Sequence, residues 1–256
     1  MLGLRNLYRV FHESRSAARK HASLAVVGSL PEAEKLVSLL GAEKDTQGAE
    51  ILVTVTSSRN GGAEVSLSGE AVENALEGIF LSAITEGAIL REFAPRVAGS
   101  LHEDYLVSLG RGYPIFRHAV CREIIHKNAR QNAVIGALPI PGADMPAITA
   151  NQARMVLGIA AAYGEEISLD RGRELLGVLA AGFGFRALSR QIVKLVPVAG
   201  WAASAAIGYA GTLAMGRTAI LYFERGKKEP GSREASEIRR WAREEAEAFL
   251  ARIRRR

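Results

Sequence analysis

The sequence predicts an α+β chain in which a small N-terminal α/β unit precedes a larger all-α domain rich in Gly and Ala. Three observations predict this. Runs of β-branched residues flank a helical pattern in the first ninety positions, the composition shifts to Ala, Gly, Ile and Pro from Asn128, and small residues recur at every fourth position from Gly200. Apolar residues make up 48% of the 256 residues but aromatics only 6%, so the core must be built largely from Ala, Val, Leu and Gly.

Composition and motif order divide the chain into five segments. These are a basic amphipathic leader helix (1–22), a small α/β domain (23–92), linker helices (93–127), a helical domain (128–226) and a basic C-terminal helix (227–256). The start of the chain does not fit a secretory signal, because Arg5 and Arg9 interrupt it and no apolar run begins before Leu24. The single cysteine, Cys121, can form no internal disulfide, which suits a reducing cytoplasm.

The small α/β domain is predicted from four consecutive patterns. Residues 23–28 and 51–56 are expected to form strands of one parallel sheet, joined by a helix from Pro31 to Leu40 that stops at Gly41. A third strand is predicted at 63–67, and a long helix at 71–90. This order is typical of a degenerate Rossmann-like or P-loop-like unit.

The turn after the first strand lacks the residues that hold phosphate. A P-loop needs a second glycine followed by Lys and then Ser or Thr, whereas Gly28-Ser29-Leu30-Pro31-Glu32-Ala33-Glu34-Lys35 has no second glycine. Pro31 removes a backbone donor, and Glu32 and Glu34 bring negative charge to the helix N-terminus, where they would repel a phosphate. We therefore expect no nucleotide cofactor in this domain.

The longest uncharged stretch contains a strip of small residues. Positions four apart stack along one side of a helix, and here they are Gly200, Ser204, Gly208, Thr212 and Gly216, the pattern of a glycine zipper. Such a strip lets a second helix backbone approach closely. The stretch is long enough to span a membrane, but its Ala and Gly content and Pro197 make insertion marginal.

A proline-rich turn is predicted to open the helical domain. Pro139, Pro141 and Gly142 break the preceding helix, and Asp144 is placed to cap the next one. That helix should run to Tyr163 and stop at Gly164. Asp144 could also be a catalytic acid, although a helix cap is the simpler interpretation.

Basic charge is concentrated at the two ends of the chain. Residues 1–22 hold five Lys/Arg against one Glu, and residues 227–256 hold ten against six, within a total net charge of +6. The ends could contact an anionic membrane through Arg5, Arg9, Arg240, Arg252 and Arg254, or they could be solvated helix faces. A nucleic-acid partner is not expected, because no stacking series of aromatics and no binding module accompanies the charge.

No constellation points to catalysis or to a metal. His118, Cys121 and His126 are the only cluster with metal-ligand chemistry, but His126 falls off the helical face that the other two share. Arg154, Arg186, Arg190 and Arg217 stand alone among apolar residues, where they could hold an anion such as a lipid phosphate or pair with Glu165, Glu166 or Glu174. We expect no catalytic residue, metal or cofactor.

From Asn132 onward the chain resembles the bacterial domain-of-unknown-function-697 family. The resemblance covers roughly residues 128–226 and is carried by segments in the family's order: 132–144, 149–155, 161–164, 182–190, 195–200, 209–217 and 222–226. In that family the helical domain often follows an Era-like GTPase domain, related bacterial proteins are membrane-associated, and no catalytic residue is established. The missing phosphate loop distinguishes this chain from such GTPases.

Three functions remain open from the sequence. The first is a non-enzymatic scaffold at the inner face of the cell membrane. The second is a soluble helical module that binds a protein partner such as a GTPase, or a degenerate GTPase-like protein. The third is an enzyme whose site the sequence does not reveal.

Overall fold

The N-terminal strands form one mixed four-stranded sheet in the computed structural model, which describes residues 12, 20–28, 31–42, 46–58, 62–138, 144–167 and 200–254. The strands are β1 (Leu24–Gly28), β2 (Ile51–Ser57), β3 (Ala63–Ser68) and β4 (Leu76–Leu81), in that spatial order. Only β1 and β2 are parallel, while β2–β3 and β3–β4 are antiparallel. The expectation of a parallel sheet was therefore wrong beyond the first pair, and Rossmann-like or P-loop-like character is not confirmed.

Connection length explains the mixed sheet. A parallel pair needs a crossover of about a dozen residues or more, and helix α1 (Glu32–Leu40) supplies one between β1 and β2. The links from β2 to β3 and from β3 to β4 are too short for that, so the chain turns back on itself. Helix α1 ends as expected, with Gly41 in the left-handed conformation at φ 66°.

The long helix predicted at 71–90 does not form. The segment instead holds β4, where Ile79 and Leu81 are buried and Phe80 between them is 49% exposed, which is the alternation of a strand. Gly78 has φ +65°, a conformation that a helix interior does not contain. Helical structure begins only at Glu86–Ala88 and passes through a π-helical turn, Ile89–Phe93, in which the Ala94 N–H donates to the Ile89 carbonyl.

Helices complete the unit that contains the sheet. They are α2 (Ala94–Ser100), α3 (Glu103–Gly112) and the first part of α4 (Pro114–Ala137). The compact unit comprises residues 16–123 and 161–164, so most of the segment expected as linker helices belongs with the sheet. Tyr113 ties these helices to β1, because its hydroxyl accepts a hydrogen bond from the Leu24 N–H at 2.8 Å.

The second compact unit is helical and contains residues 124–160 and 165–256 as well as 1–15. Its described elements are the remainder of α4, α5 (Asp144–Ala162), α6 (Gly200–Glu224) and α7 (Ser232–Arg254). Helix α5 agrees with the helix predicted from Asp144 to Tyr163 within one residue. Across the part of the chain that is described, no helix is both apolar and long enough to cross a membrane.

Helix stops in this unit follow the glycines that the sequence indicates. Gly164 after α5 and Gly226 after α6 have φ values of +84° and +65°. After α6 the Lys227 N–H donates to the Tyr222 carbonyl at 2.8 Å, and the Lys227 ammonium pairs with Glu165 at 2.8 Å. These contacts fix the reversal of direction between α6 and α7.

Candidate functional site: a small-residue helix and its two neighbours

Helix α6 lies against α4 along its small-residue strip. A Cβ added at Gly208 would stand 2.6 Å from the Asn132 carbonyl oxygen, and one added at Gly136 would stand 2.8 Å from that of Ser204. Both distances are shorter than real Cβ contacts, so each position requires glycine. Residue numbers rise along one helix as they fall along the other, so the two helices are antiparallel and their backbones touch.

The two ends of the strip behave differently from its middle. A Cβ at Gly216 would clash with the buried side chain of Ile125 rather than with a backbone atom. At Gly200 a Cβ would meet no described atom within 4 Å. The backbone contact is therefore concentrated around Gly208. The glycines of the strip are regularly spaced in the sequence, but what lies against them differs from one position to the next.

A buried polar network crosses this interface. Thr212 is fully buried; its hydroxyl donates to the Gly208 carbonyl at 2.7 Å and accepts from Asn132 Nδ2 at 2.8 Å and Gln152 Nε2 at 3.4 Å. Asn151 Nδ2 donates to Asn132 Oδ1 at 2.9 Å. Side chains of α4, α5 and α6 are thus joined in one hydrogen-bonded cluster, which favours a single register of the three helices.

Asn128 extends the network with one unmatched atom. Its Nδ2 donates to the Ile124 carbonyl at 2.7 Å and its backbone carbonyl accepts from Asn151 Nδ2 at 3.3 Å. Its Oδ1 is buried and has no hydrogen-bond partner among the described residues. A buried acceptor left in this state costs about 1–3 kcal/mol.

The opposite face of α6 packs on α7 through alanines. Ala202, Ala206, Ala210 and Ala214 form one cluster with Ile238, Ala242, Ala246 and Leu250 of α7. Tyr209 stacks on Phe249 with ring centroids 4.6 Å apart, and the Arg217 guanidinium lies 4.7 Å from the Trp241 ring centroid. The earlier α6 residue, Tyr209, contacts the later α7 residue, Phe249, so the two pairs together show that α6 and α7 are antiparallel. The apolar residues of α7 in this cluster are therefore covered by α6.

Tyr209 is the one member of this face with a perturbed ionisation. Burial, and secondly the negative charge of Glu245, raise the pKa of its phenol above the ordinary value. Arg252 and Arg130 oppose the shift, which places both cations within electrostatic reach of Tyr209.

The predicted arginine and turn residues fall partly outside the described residues. Arg5, Arg9, Pro139, Pro141, Gly142, Arg186 and Arg190 lie there. Asp144 is the first residue of α5, and Arg254 is the last residue of α7. Arg240 and Arg252 are exposed. Arg217 contacts Trp241, Glu165 pairs with Lys227, and Glu174 lies outside the described residues.

Large apolar side chains are exposed at one end of the helical unit. Val134 is 64% exposed, Trp201 52% and Leu138 51%. None of the three is predicted from the sequence, although the absence of Asp and Glu between His126 and Leu138 is a usable signal of an apolar surface there. In the metal-ligand candidate, Cys121 is buried and His118 exposed; within the described residues, no three His, Cys, Asp or Glu side chains gather as metal ligands.

These features define a class: a helical domain in which one small-residue helix is packed on both sides and is tied to its neighbours by buried amides. Residues 115–241 match the model of the family described as "Domain of unknown function (DUF697)", which confirms the resemblance drawn from the motifs. The match covers just under half of the chain; it begins thirteen residues before the range 128–226 that the motifs indicate, and it extends into α7.

One curated relative is Magnetosome membrane protein 22 of Magnetospirillum gryphiswaldense (strain DSM 6361 / JCM 21280 / NBRC 15271 / MSR-1). It is 29% identical over 121 residues, which cover 42% of this chain and 62% of the relative. The chain therefore spans less than two thirds of the length of that protein. No solved structure matches the chain significantly.

Proposed function

We propose that the protein is a non-enzymatic, membrane-associated helical scaffold that attaches peripherally to the inner, cytoplasmic face of the cell membrane. The observation that carries the proposal is the similarity to a relative named as a magnetosome membrane protein. The charge pattern supports it, because the C-terminal helix presents exposed arginines, among them Arg240 and Arg252, on a chain of net charge +6. Anionic headgroups attract such surfaces.

A structural role is supported by what the buried polar residues do. The Asn, Gln and Thr side chains of the helical unit, which elsewhere could serve chemistry, bond chiefly to one another and to helix carbonyls. They favour one register of α4, α5 and α6. A scaffold needs this rigidity to present a defined surface.

Vesicle flotation of the full-length protein tests the proposal. At low salt the protein should rise with vesicles rich in phosphatidylglycerol and stay at the bottom with pure phosphatidylcholine. Binding should weaken at about 1 M salt, where the Debye length falls to about 3 Å. Protein that stays at the bottom with anionic vesicles at low salt would refute membrane association.

The alternative is a soluble module that binds a protein partner such as a GTPase. It is favoured by the exposed apolar side chains Val134 and Leu138, which a partner could cover. The degenerate GTPase-like version has less support, because strands β2 to β4 pair antiparallel. Failure to float, combined with stable solubility, would leave this alternative in place.

A further inference from the structure

We infer that one end of the helical unit is a membrane-inserting tip, in which Val134, Leu138 and Trp201 enter the outer layer of an anionic bilayer. This rests on the proposed membrane association and assigns it to a surface. We call this end, where α4 ends, α6 begins and α7 ends, the apolar tip.

The helix registers bring these three residues to the same end. On α4 and α6, Gly136 lies against Ser204 and Asn132 against Gly208. Continuing that antiparallel register by one half-turn brings Leu138 level with the first turn of α6, which contains Trp201. Val134 lies one helical turn behind Leu138 on the same side of α4.

The C-terminal end of α7 returns to the same level. Arg217 lies over Trp241 and Tyr209 stacks on Phe249, so residue numbers rise along α7 as they fall along α6. At the same register, Arg252 comes level with Ala206, fewer than two turns from the start of α6. The charges of Glu245, Arg252 and Arg130 all influence the pKa of Tyr209, so these side chains of α4 and α7 lie within electrostatic reach of the same phenol.

Exposure distinguishes this end from an ordinary surface. Single exposed apolar residues are normal and need no explanation. Here three large side chains, between 51% and 64% exposed, lie at one end of the unit, Val134 and Leu138 on the side of α4 turned away from α6 and Trp201 on α6 itself. Tryptophan favours the headgroup level of a bilayer, where its ring is partly buried and its N–H remains solvated.

Charge selects an anionic bilayer as the occupant. Asn151 bonds to Asn128 and Asn132 of α4, so the first residue of α5, Asp144, lies at the same end. Over the same depth, the described residues 130–138, 144–152, 200–210 and 248–254 contain Arg130, Arg252 and Arg254 against one carboxylate, that of Asp144. An apolar tip with an excess of cations one to two turns behind it matches a membrane interface, where acyl chains lie below anionic headgroups.

Tryptophan fluorescence tests the tip directly, because the chain has only Trp201 and Trp241. Trp241→Phe leaves Trp201 as the sole reporter, and Trp201→Phe leaves Trp241. With phosphatidylglycerol vesicles, Trp201 emission should shift to the blue, and lipids brominated in the acyl chain should quench it at least twofold. Trp241, which lies under Arg217, should change far less.

Paired variants test the side chains and the charge. Val134→Ser with Leu138→Ser should weaken vesicle binding at least tenfold, whereas Phe80→Ser with Leu90→Ser, at exposed apolar positions of the other unit, should not. Arg252→Glu should weaken binding more than Arg233→Glu, an equal charge change near the opposite end of α7. Circular dichroism checks that each variant is folded.

The outcomes separate this inference from the proposed function. If the protein floats but Trp201 emission neither shifts nor quenches, membrane association stands and the tip assignment fails. If the protein does not float at all, the proposed function fails. Concentration-dependent dimerisation that Val134→Ser with Leu138→Ser abolishes, without any vesicle binding, would overturn the inference by assigning the tip to a second copy.

Discussion

The two long faces of α6 both carry small residues at every fourth position, yet they pack in different ways. Towards α4 the contact is backbone to backbone, with glycine at Gly208 and a buried hydrogen-bond network around Thr212. Towards α7 the contact is side chain to side chain, with alanines against Ile238, Ala242, Ala246 and Leu250.

This difference separates two uses of small residues. Glycine allows a close approach that no Cβ tolerates, and the close approach brings side-chain amides of neighbouring helices within hydrogen-bond reach. Alanine keeps the helices one methyl layer apart and leaves an apolar interface that can adjust. We therefore expect the α4 face to be intolerant of added volume and the α7 face to be more forgiving.

Gly208→Leu should produce the largest effect. The added side chain would begin 2.6 Å from the Asn132 carbonyl oxygen, so the helices must separate. We expect a loss of about 3 kcal/mol or more in the free energy of unfolding, at or above the usual range for overpacking. Urea unfolding followed by tryptophan fluorescence measures it, since both tryptophans lie in the helical unit.

The matched control for Gly208→Leu is Gly200→Ala on the same strip. A Cβ there meets no described atom within 4 Å, so stability should change by about 0.5 kcal/mol or less. Equal effects at the two positions would contradict this difference between them.

Ala210→Leu tests the α7 face and should have the next largest effect. Ala210 is fully buried in the apolar cluster between α6 and α7, where no buried hydrogen-bond network like that around Thr212 is described. We expect a loss of about 1–3 kcal/mol. A loss as large as that of Gly208→Leu would show that the two faces are equally rigid, and the comparison would then fail.

Thr212→Val removes the hydroxyl at the centre of the polar network while keeping the shape of the side chain. Asn132 Nδ2 and Gln152 Nε2 would lose their acceptor, and we expect a loss of about 1–3 kcal/mol. Thr218→Val is the control, because its hydroxyl donates only to the Ala214 carbonyl four residues back, and its loss should be smaller. A larger loss of stability for Thr218→Val than for Thr212→Val would show that the polar network does not stabilise the contact between α4, α5 and α6.

Tyr209→Phe should give the smallest effect, and only at alkaline pH. Burial raises the folded-state pKa of Tyr209, so above its ordinary value of about 10 the unfolded chain loses the proton first and stability falls as pH rises. The Phe variant lacks this loss. The difference in stability between the two proteins should therefore change in favour of Phe between pH 9 and about pH 11, as measured by urea unfolding at each pH.

The sequence predicted helices best where caps and stops were local. Gly41, Gly164 and Gly226 mark helix ends in the sequence and in the structure alike, because the left-handed conformation is a property of one residue. The strip towards α4 was predictable for the same reason, since its spacing lies within one helix. The family resemblance came from residues in the same region.

Non-local pairing was less predictable. Segment 71–90 has helical spacing, but β4 within it pairs with the free edge of β3. This pairing buries Ile79 and Leu81, and the tertiary contact overrides the local helical pattern. The alanine face of α6 went unnoticed because alanine at every fourth position is common in an Ala-rich helix. The apolar tip could not be predicted from the sequence, because it depends on how α4 aligns with α6 and how α6 aligns with α7.

The central claim is that α6 remains the packed centre of the helical unit while the protein binds a membrane at its tip. Hydrogen exchange of the α7 amides from Ile238 to Leu250, with and without phosphatidylglycerol vesicles, tests it most directly. We predict that their exchange rates stay the same on binding, because α7 remains packed on the alanine face of α6. A marked gain in their exchange on vesicle binding would mean that α6 leaves α7 to enter the bilayer, and would contradict the account.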